Sequence, residues 1–165
     1  MGATPAITAL TRAGIAHTVH RYRHDPRTEA YGAEAVAALA DELGVAAEQV
    51  FKTLVVALSG TTGSARLGVA VLPVPATLSL KATAAALGVS RATMADAKDV
   101  TRTTGYVLGG VSPIGQRTAL PTVVDDSALA HPEILVSAGR RGMEVALAPG
   151  DLLSVTSGVA ASIRA

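Results

Sequence analysis

The stretch Phe51-Lys52-Thr53-Leu54-Val55-Val56-Ala57-Leu58 decides the fold. It is an apolar run rich in β-branched residues, and its length and composition predict a buried strand rather than a helix. One side chain does not fit this pattern. Lys52 stands second in the run, where a buried ammonium carries a heavy desolvation cost. Either Lys52 reaches solvent at the end of the strand, as lysines near strand ends usually do, or it faces a cleft that receives an anionic or carbonyl-bearing ligand.

The segments that follow this strand predict an antiparallel hairpin. A short polar turn at residues 59–63 leads to a second apolar run over residues 67–74, and two strands joined by so short a loop pair side by side. Ser79 then has the character of a helix N-cap, and the helix it begins ends near Gly88.

The segments before the strand predict a helix, a strand and a second helix. Thr4 is suited to an N-cap and Pro5 to the first helical position, and Gly14 ends this helix. Residues 15–24 alternate loosely and predict a strand, and residues 25–32 a loop. Residues 33–43 carry apolar side chains at helical spacing.

The second half of the chain predicts short strands and one closing helix. Strands are expected at residues 106–108, 121–125, 134–137 and 143–147, a helix at 151–163, and helical or irregular structure at 90–104. The basic turn Gly139-Arg140-Arg141-Gly142 joins two of these strands into a second hairpin. Hairpins mixed with about four helices predict an α+β fold: a single domain spanning residues 1–165, with a mixed, barrel-like sheet flanked by helices.

Composition excludes several functions. The 165 residues are 49% hydrophobic but only 2% aromatic, so Ala, Val, Leu and Ile must build the core. The absence of cysteine excludes disulfides, thiolate metal ligands and a cysteine nucleophile. A net charge of +1 argues against a wide phosphate-tracking surface but leaves room for a local basic patch on a nucleic-acid end. The lack of a signal-like N-terminus or a long apolar run predicts a cytoplasmic protein with no membrane partner.

Three histidines invite a zinc interpretation that the spacing does not favour. His17 and His20 are three residues apart on a predicted strand and therefore point to opposite faces, and His24 lies near no carboxylate at ligand spacing. Exposed polar strand positions explain them better. We expect no metal and no cofactor.

Three further motifs each carry a functional and a plain reading. The loop Gly109–Gln116, with Gly110 and Ser112, lacks the features of a P-loop or a dinucleotide fingerprint, but its amides could form a nest for a carbonyl oxygen or a phosphate. A purely structural loop is equally compatible with it. Ser137 does not lie in a nucleophile elbow, because Leu135 stands where glycine is needed. The basic turn at 139–142 is suited to a phosphate or simply to solvent.

The motifs in their order resemble one known family. Phe-Lys-Thr-Leu-Val, then Thr-Gly-Tyr with Gly-Gly-Val-Ser-Pro-Ile-Gly-Gln, then Val-Ser-Ala-Gly-Arg-Arg-Gly is similar to the YbaK/EbsC family across essentially the whole chain. These proteins are free-standing aminoacyl-tRNA deacylases related to the editing domain of bacterial prolyl-tRNA synthetases. The resemblance also implies the mixed, barrel-like sheet with flanking helices.

The resemblance implies roles for particular residues. It places the key lysine at Lys52 and its companion aromatic side chains at Tyr22 and Tyr31. Substrate-binding positions implied in the second half of the chain are Gly109, Gly110, Ser112, Ser137 and Glu144. Glu144 departs from the family, which usually has the shorter aspartate there.

The resemblance finally implies a reaction. Members remove the wrong amino acid from tRNA, most typically cysteine from the proline tRNA, and Cys-tRNA(Cys) is a related substrate. In the mechanism proposed for the family, the thiol of the substrate attacks its own ester. The implied partners are the acceptor end of aminoacyl-tRNA and a prolyl-tRNA synthetase. Two alternatives stay open: a deacylase for alanine or another small amino acid that uses water, and a non-catalytic adaptor that binds tRNA or the synthetase.

Overall fold

A computed structural model describes residues 3–60 and 66–165, and within them the chain forms five α-helices and eight strands. The helices are α1 (Pro5–Arg12), α2 (Tyr31–Leu43), α3 (Leu80–Ala86), α4 (Ala97–Thr104) and α5 (Pro149–Thr156). The strands are β1 (Thr18–Arg21), β2 (Phe51–Ser59), β3 (Leu67–Pro73), β4 (Arg91–Met94), β5 (Thr122–Asp125), β6 (Ile134–Arg140), β7 (Met143–Leu147) and β8 (Val159–Ala161).

The strands form two sheets, which confirms the α+β class. One sheet has the antiparallel order β1-β7-β6, and the other has the order β4-β2-β3-β5-β8 with parallel pairing at β3–β5 and β5–β8. Within the described residues, neither sheet closes into a barrel. A single bridge between Val50 and Leu135 links the start of β2 to β6. The predicted barrel-like sheet is therefore corrected to two sheets that meet at this point.

Strand β2 occupies the interior of the larger sheet, as its apolar composition predicts. Phe51 to Ala57 pair in continuous antiparallel register with β3, from Phe51 opposite Pro73 to Ala57 opposite Leu67. Val56 to Ser59 pair on the other side with β4. The predicted β2–β3 hairpin is confirmed, and part of its turn, residues 61–63, lies outside the described residues.

Two predicted helix starts are confirmed in atomic detail. The Thr4 hydroxyl accepts a hydrogen bond from the Ile7 amide, and Pro5 occupies the first turn of α1. The Ser79 hydroxyl accepts in the same way from the Ala82 amide at the start of α3.

The remaining differences have local physical causes. The first strand is only β1, and α2 begins at Tyr31 rather than at residue 33. Residues 106–108 form no strand, because the backbone turns there and the Gly110 amide donates to the Val107 carbonyl; the buried Tyr106 hydroxyl donates to the Ile114 carbonyl. The last helix ends at Thr156, since Ser157 adopts a left-handed φ of 53° and the Gly158 amide caps back to Leu153.

The main core lies between the two sheets. Phe51, Val55, Val69 and Val71 of the larger sheet pack with Val136, Val145 and Leu147 of the smaller one. No helix in the described part of the chain is long and apolar enough to cross a membrane.

Candidate active site

A cavity of about 340 Å³ opens where β2 begins, beside the first turns of α2. The β6–β7 hairpin and the loop before Val111 complete its walls. Small cavities with mostly apolar walls and a few polar groups are typical ligand sites. Its lining residues are Tyr22, Glu29, Tyr31, Gly32, Ala35, Val50, Phe51, Lys52, Thr53, Leu54, Val74, Leu108, Gly109, Val111, Ser137 and Glu144.

Lys52 lines this cavity. Its register position opposite Leu72 places it near the start of β2, and its Nζ donates a hydrogen bond of 2.7 Å to the carbonyl oxygen of Ala76. Burial lowers the pKa of Lys52, because the ammonium loses hydration. Of the two orientations left open by the sequence, the structure has the one that faces a cleft.

Glu144 brings a carboxyl group into the same cavity. It lies on β7 directly opposite Ser137 on β6, and only 6% of its surface is exposed. Burial raises the pKa of Glu144 to about 8, which favours the neutral acid at neutral pH. Among the described residues, no salt bridge joins Glu144 to Lys52. The cavity is thus lined by a lysine whose ammonium bonds to a backbone carbonyl and by a carboxyl group that forms no salt bridge within the described residues.

Both tyrosines line the cavity. Burial, followed by the charges of Glu144 and Glu34, raises the pKa of Tyr22 to about 12, so its phenol stays neutral. Tyr31, the first residue of α2, lies under the guanidinium of Arg141, which is 4.8 Å from the ring centroid. The centroid of the His24 ring lies 5.9 Å from the centroid of the Tyr31 ring.

Gly109 lies so close to Tyr31 that a side chain at this position would force the tyrosine ring to move. Its φ is +85°, and a Cβ built there would lie 2.7 Å from the tyrosine ring. Arg141 also donates from Nε to the carbonyl oxygen of Leu108 at 2.8 Å. Tyr31, Gly109 and Arg141 therefore fasten three separate segments together at the rim of the cavity.

Gly110 and Ser112 are not among the residues that line the cavity. A Cβ on Gly110 would lie 3.0 Å from the Arg141 amide nitrogen, so this glycine lets the loop pack against the β6–β7 turn. Ser112 is fully buried, and its hydroxyl accepts from the Ile114 amide. Both residues shape the loop that carries Gly109, and a direct role in substrate binding stays a prediction.

Sequence reasoning missed Thr53 and Arg141. Thr53 lines the cavity, and its buried hydroxyl has no hydrogen-bond partner among the described residues. Successive side chains of a strand point to opposite faces, so Thr53 and Lys52 point in opposite directions. Both line the cavity because it extends around the start of β2. In the sequence Arg141 is only part of a basic turn, and its contact with Tyr31 joins residues that are 110 positions apart.

The three histidines of the N-terminal segment have other partners. His17 Nδ1 lies 2.7 Å from the Ile15 carbonyl oxygen, and His24 Nδ1 lies 2.6 Å from Glu34 Oε1. His20 is opposite Glu144 in the β1–β7 register. Within residues 3–60 and 66–165, no group of three His, Cys, Asp or Glu side chains is arranged to hold a metal ion.

Comparison with solved structures finds the same fold in other proteins. Two solved structures have the same fold at a TM-score of 0.81 and 24% identity, each covering 98% of this chain. One is provisionally described as a trans-editing enzyme for prolyl-tRNA synthetase, of which 95% is covered, and the other is a hypothetical protein covered completely.

The sequence comparisons identify the family. The model of the aminoacyl-tRNA editing domain matches residues 31–155. A protein of Enterococcus faecalis (strain ATCC 700802 / V583), provisionally named Cys-tRNA(Pro)/Cys-tRNA(Cys) deacylase EbsC, is 42% identical over 125 residues, which are 76% of this chain and 74% of that protein. The chain belongs to the aminoacyl-tRNA editing domain family.

Proposed function

We propose that this chain is a cytoplasmic, single-domain aminoacyl-tRNA deacylase that removes cysteine from Cys-tRNA(Pro), with Cys-tRNA(Cys) as a related substrate. The observation that carries the proposal is the partly desolvated ammonium of Lys52, held by the Ala76 carbonyl in the wall of a small cavity. A cation in such a place suits an ester whose carbonyl oxygen gains negative charge during the reaction.

The chemistry proposed for the site uses the substrate's own nucleophile. The cysteine sulfur bonds to its ester carbonyl carbon, the carbon–oxygen bond to the ribose breaks, and the thiol proton passes to the released ribose hydroxyl. Cysteine leaves as a thiolactone. The protein then has to orient the ester and stabilise the oxyanion, and Lys52 supplies the positive charge.

The other cavity residues are proposed to orient the aminoacyl group. The carboxyl of Glu144 and the hydroxyl of Ser137 lie opposite each other on neighbouring strands and suit the α-amino group. A bound ammonium would favour the ionised carboxylate and lower the pKa of Glu144 again. Backbone amides near Gly109 suit the ester carbonyl, and Tyr22 and Tyr31 enclose the side chain.

Recruitment by a prolyl-tRNA synthetase is the proposed route to the substrate. The net charge of the chain is only +1, which predicts weak intrinsic affinity for a polyanion at physiological salt. A partner that already holds the tRNA would raise the local concentration of the ester.

The test compares three substrates that differ in one atom. Cys-tRNA(Pro), Ser-tRNA(Pro) and Ala-tRNA(Pro) are incubated with substoichiometric protein, and the remaining aminoacyl ester is measured over time. The proposal expects rapid loss of cysteine alone, because serine replaces the thiol with a weaker nucleophile and alanine has none. Equal loss of alanine would establish a water-using deacylase instead. No loss of any ester would favour the adaptor.

A further inference from the structure

Four exposed arginines surround the turn between β6 and β7, and we call Arg21, Arg23, Arg140 and Arg141 the arginine patch. Arg21 on β1 and Arg140 on β6 both pair with Met143, which lies between them on β7. The amide of Tyr22, the residue between Arg21 and Arg23, donates to the Gly142 carbonyl in the same turn. The three segments thus bring these four exposed arginines to one end of the smaller sheet.

The positive charge of this patch is not neutralised within the described protein. None of the four arginines forms a salt bridge in residues 3–60 and 66–165. Of the acidic residues close to these arginines in the sequence, Glu34 bonds to His24 and Asp25 pairs with Arg27, while Glu29 and Glu144 line the cavity and form no salt bridge within the described residues. The chain has a net charge of +1, so removing these four positive charges leaves the rest at −3 (1 minus 4). The net charge of the chain is therefore small although the face that carries the arginine patch is strongly basic.

The patch adjoins the cavity through two of its lining residues. Arg141 lies over Tyr31 and bonds to the Leu108 carbonyl, and both Tyr31 and Leu108 line the cavity. Tyr22, flanked by Arg21 and Arg23, lines it as well. A chain of phosphates that crossed the patch would therefore end at the cavity mouth.

We infer that the arginine patch binds the backbone phosphates of an RNA acceptor end whose terminal ester enters the cavity. The inference rests on the proposed function for the identity of the ester, and on the charge and position of the patch for the phosphates. Guanidinium groups suit this task because each presents a planar fork of donors to phosphate oxygens. Arg141 serves both surfaces, as it holds the cavity wall with one side of its guanidinium group.

The first experiment measures binding of an uncharged RNA minihelix with a single-stranded 3′ end, by fluorescence anisotropy over a range of salt concentrations. The logarithm of the affinity falls with the logarithm of salt by about 0.7 to 0.9 for each neutralised phosphate. The triple variant Arg21→Gln, Arg23→Gln and Arg140→Gln should bind about tenfold to 100-fold more weakly at moderate salt, with a slope shallower by about 2 to 3. Arg141 is left unchanged because it also supports the cavity.

A matched control removes the same charge elsewhere. The triple variant Arg12→Gln, Arg91→Gln and Lys98→Gln loses three exposed positive charges from α1, β4 and α4. Arg91 pairs with Ser59, seven residues along β2 from Lys52, which is about 23 Å at ordinary strand spacing. Equal weakening by the two triple variants would overturn the inference, because net charge alone would then explain binding.

The second experiment separates the patch from the chemistry. The cysteine ester of adenosine carries no stem phosphates, so the patch variant should cleave it as wild type does while losing turnover of the minihelix ester. Equal loss on both substrates would overturn the inference. If wild type cleaves neither ester, the proposed function fails, while the binding measurement still decides whether the patch holds RNA.

Discussion

Gly109 and Tyr31 touch so closely that a methyl group on the glycine would lie 2.7 Å from the tyrosine ring. The glycine is 78 positions further along the chain, in a loop, and the tyrosine opens helix α2. Their contact forms part of the cavity wall, and the Arg141 guanidinium lies 4.8 Å from the centroid of the same ring. The shape of the site therefore depends on the lack of a Cβ atom at Gly109.

Gly109→Ala is expected to destabilise the protein by about 2 to 4 kcal/mol, from the left-handed backbone together with the clash. Gly14→Ala is the matched control, since Gly14 has a φ of +68° but nothing within 4 Å of its Cβ position. It should cost only the backbone part, about 1 to 2 kcal/mol. Urea unfolding of both variants measures the difference, and equal losses would contradict a tight contact with Tyr31.

Arg141→Gln is expected to reduce kcat/KM for the cysteine ester of adenosine several-fold, because Tyr31 and the Leu108 carbonyl lose their shared partner. A cation over an exposed ring contributes about 0.5 to 1 kcal/mol, so a modest effect is expected. Arg140→Gln provides the control, as this neighbour has no such contacts among the described residues. Identical rates for Arg141→Gln and wild type would show that the arginine does not position Tyr31.

Glu144 predicts a specific dependence of stability on pH. Its pKa is raised from 4.5 to about 8 by burial, so the folded protein retains a proton that the unfolded chain releases between these values. The unfolding free energy that Glu144 contributes is therefore fully present below about pH 4.5 and is lost as the pH rises to about 8, by at most about 1.4 kcal/mol per pH unit. The unfolding free energy of Glu144→Gln minus that of wild type should increase from pH 5 to pH 8. A pH-independent difference would contradict the burial of this carboxyl.

Thr53 and Thr83 should respond in opposite ways to replacement by valine. The Thr53 hydroxyl is buried without a partner, and removing such a group is expected to stabilise the protein by about 1 kcal/mol. The Thr83 hydroxyl donates to the Ser79 carbonyl at 2.7 Å, and its loss should cost about 1 kcal/mol. Chemical unfolding of the two variants decides this. A Thr53→Val protein that was less stable than wild type would mean that its hydroxyl is satisfied in solution.

The central strand and its lysine were predictable because their signals are local. A β-branched apolar run around Lys52 admits few structures, and the Thr4 and Ser79 caps are decided by contacts three residues away. The edge strands were not predictable in this way. β4 and β8 have four and three residues, too few for a period to show, and their existence depends on strands β2 and β5 beside them.

The site was predictable as a set of residues but not as a shape. The family resemblance implied eight residues. Six of them line the cavity, namely Lys52, Tyr22, Tyr31, Gly109, Ser137 and Glu144, whereas Gly110 and Ser112 do not. Their catalytic and binding roles remain proposals. Thr53 and Arg141 escaped notice because their importance comes from long-range packing: one is reached by a cavity that extends around a strand, the other by a turn that meets helix α2 from the far end of the sequence.

The most direct test of the account is single-turnover deacylation of Cys-tRNA(Pro) by Lys52→Met beside Lys98→Met. Methionine keeps the length of the lysine stem and removes its charge, and Lys98 is an exposed residue of α4 outside the cavity. The account predicts a loss of about 100-fold or more for Lys52→Met, the scale of losing one group that stabilises an oxyanion, and an unchanged rate for Lys98→Met. A Lys52→Met protein that folds and deacylates within twofold of wild type would contradict the central role of this ammonium.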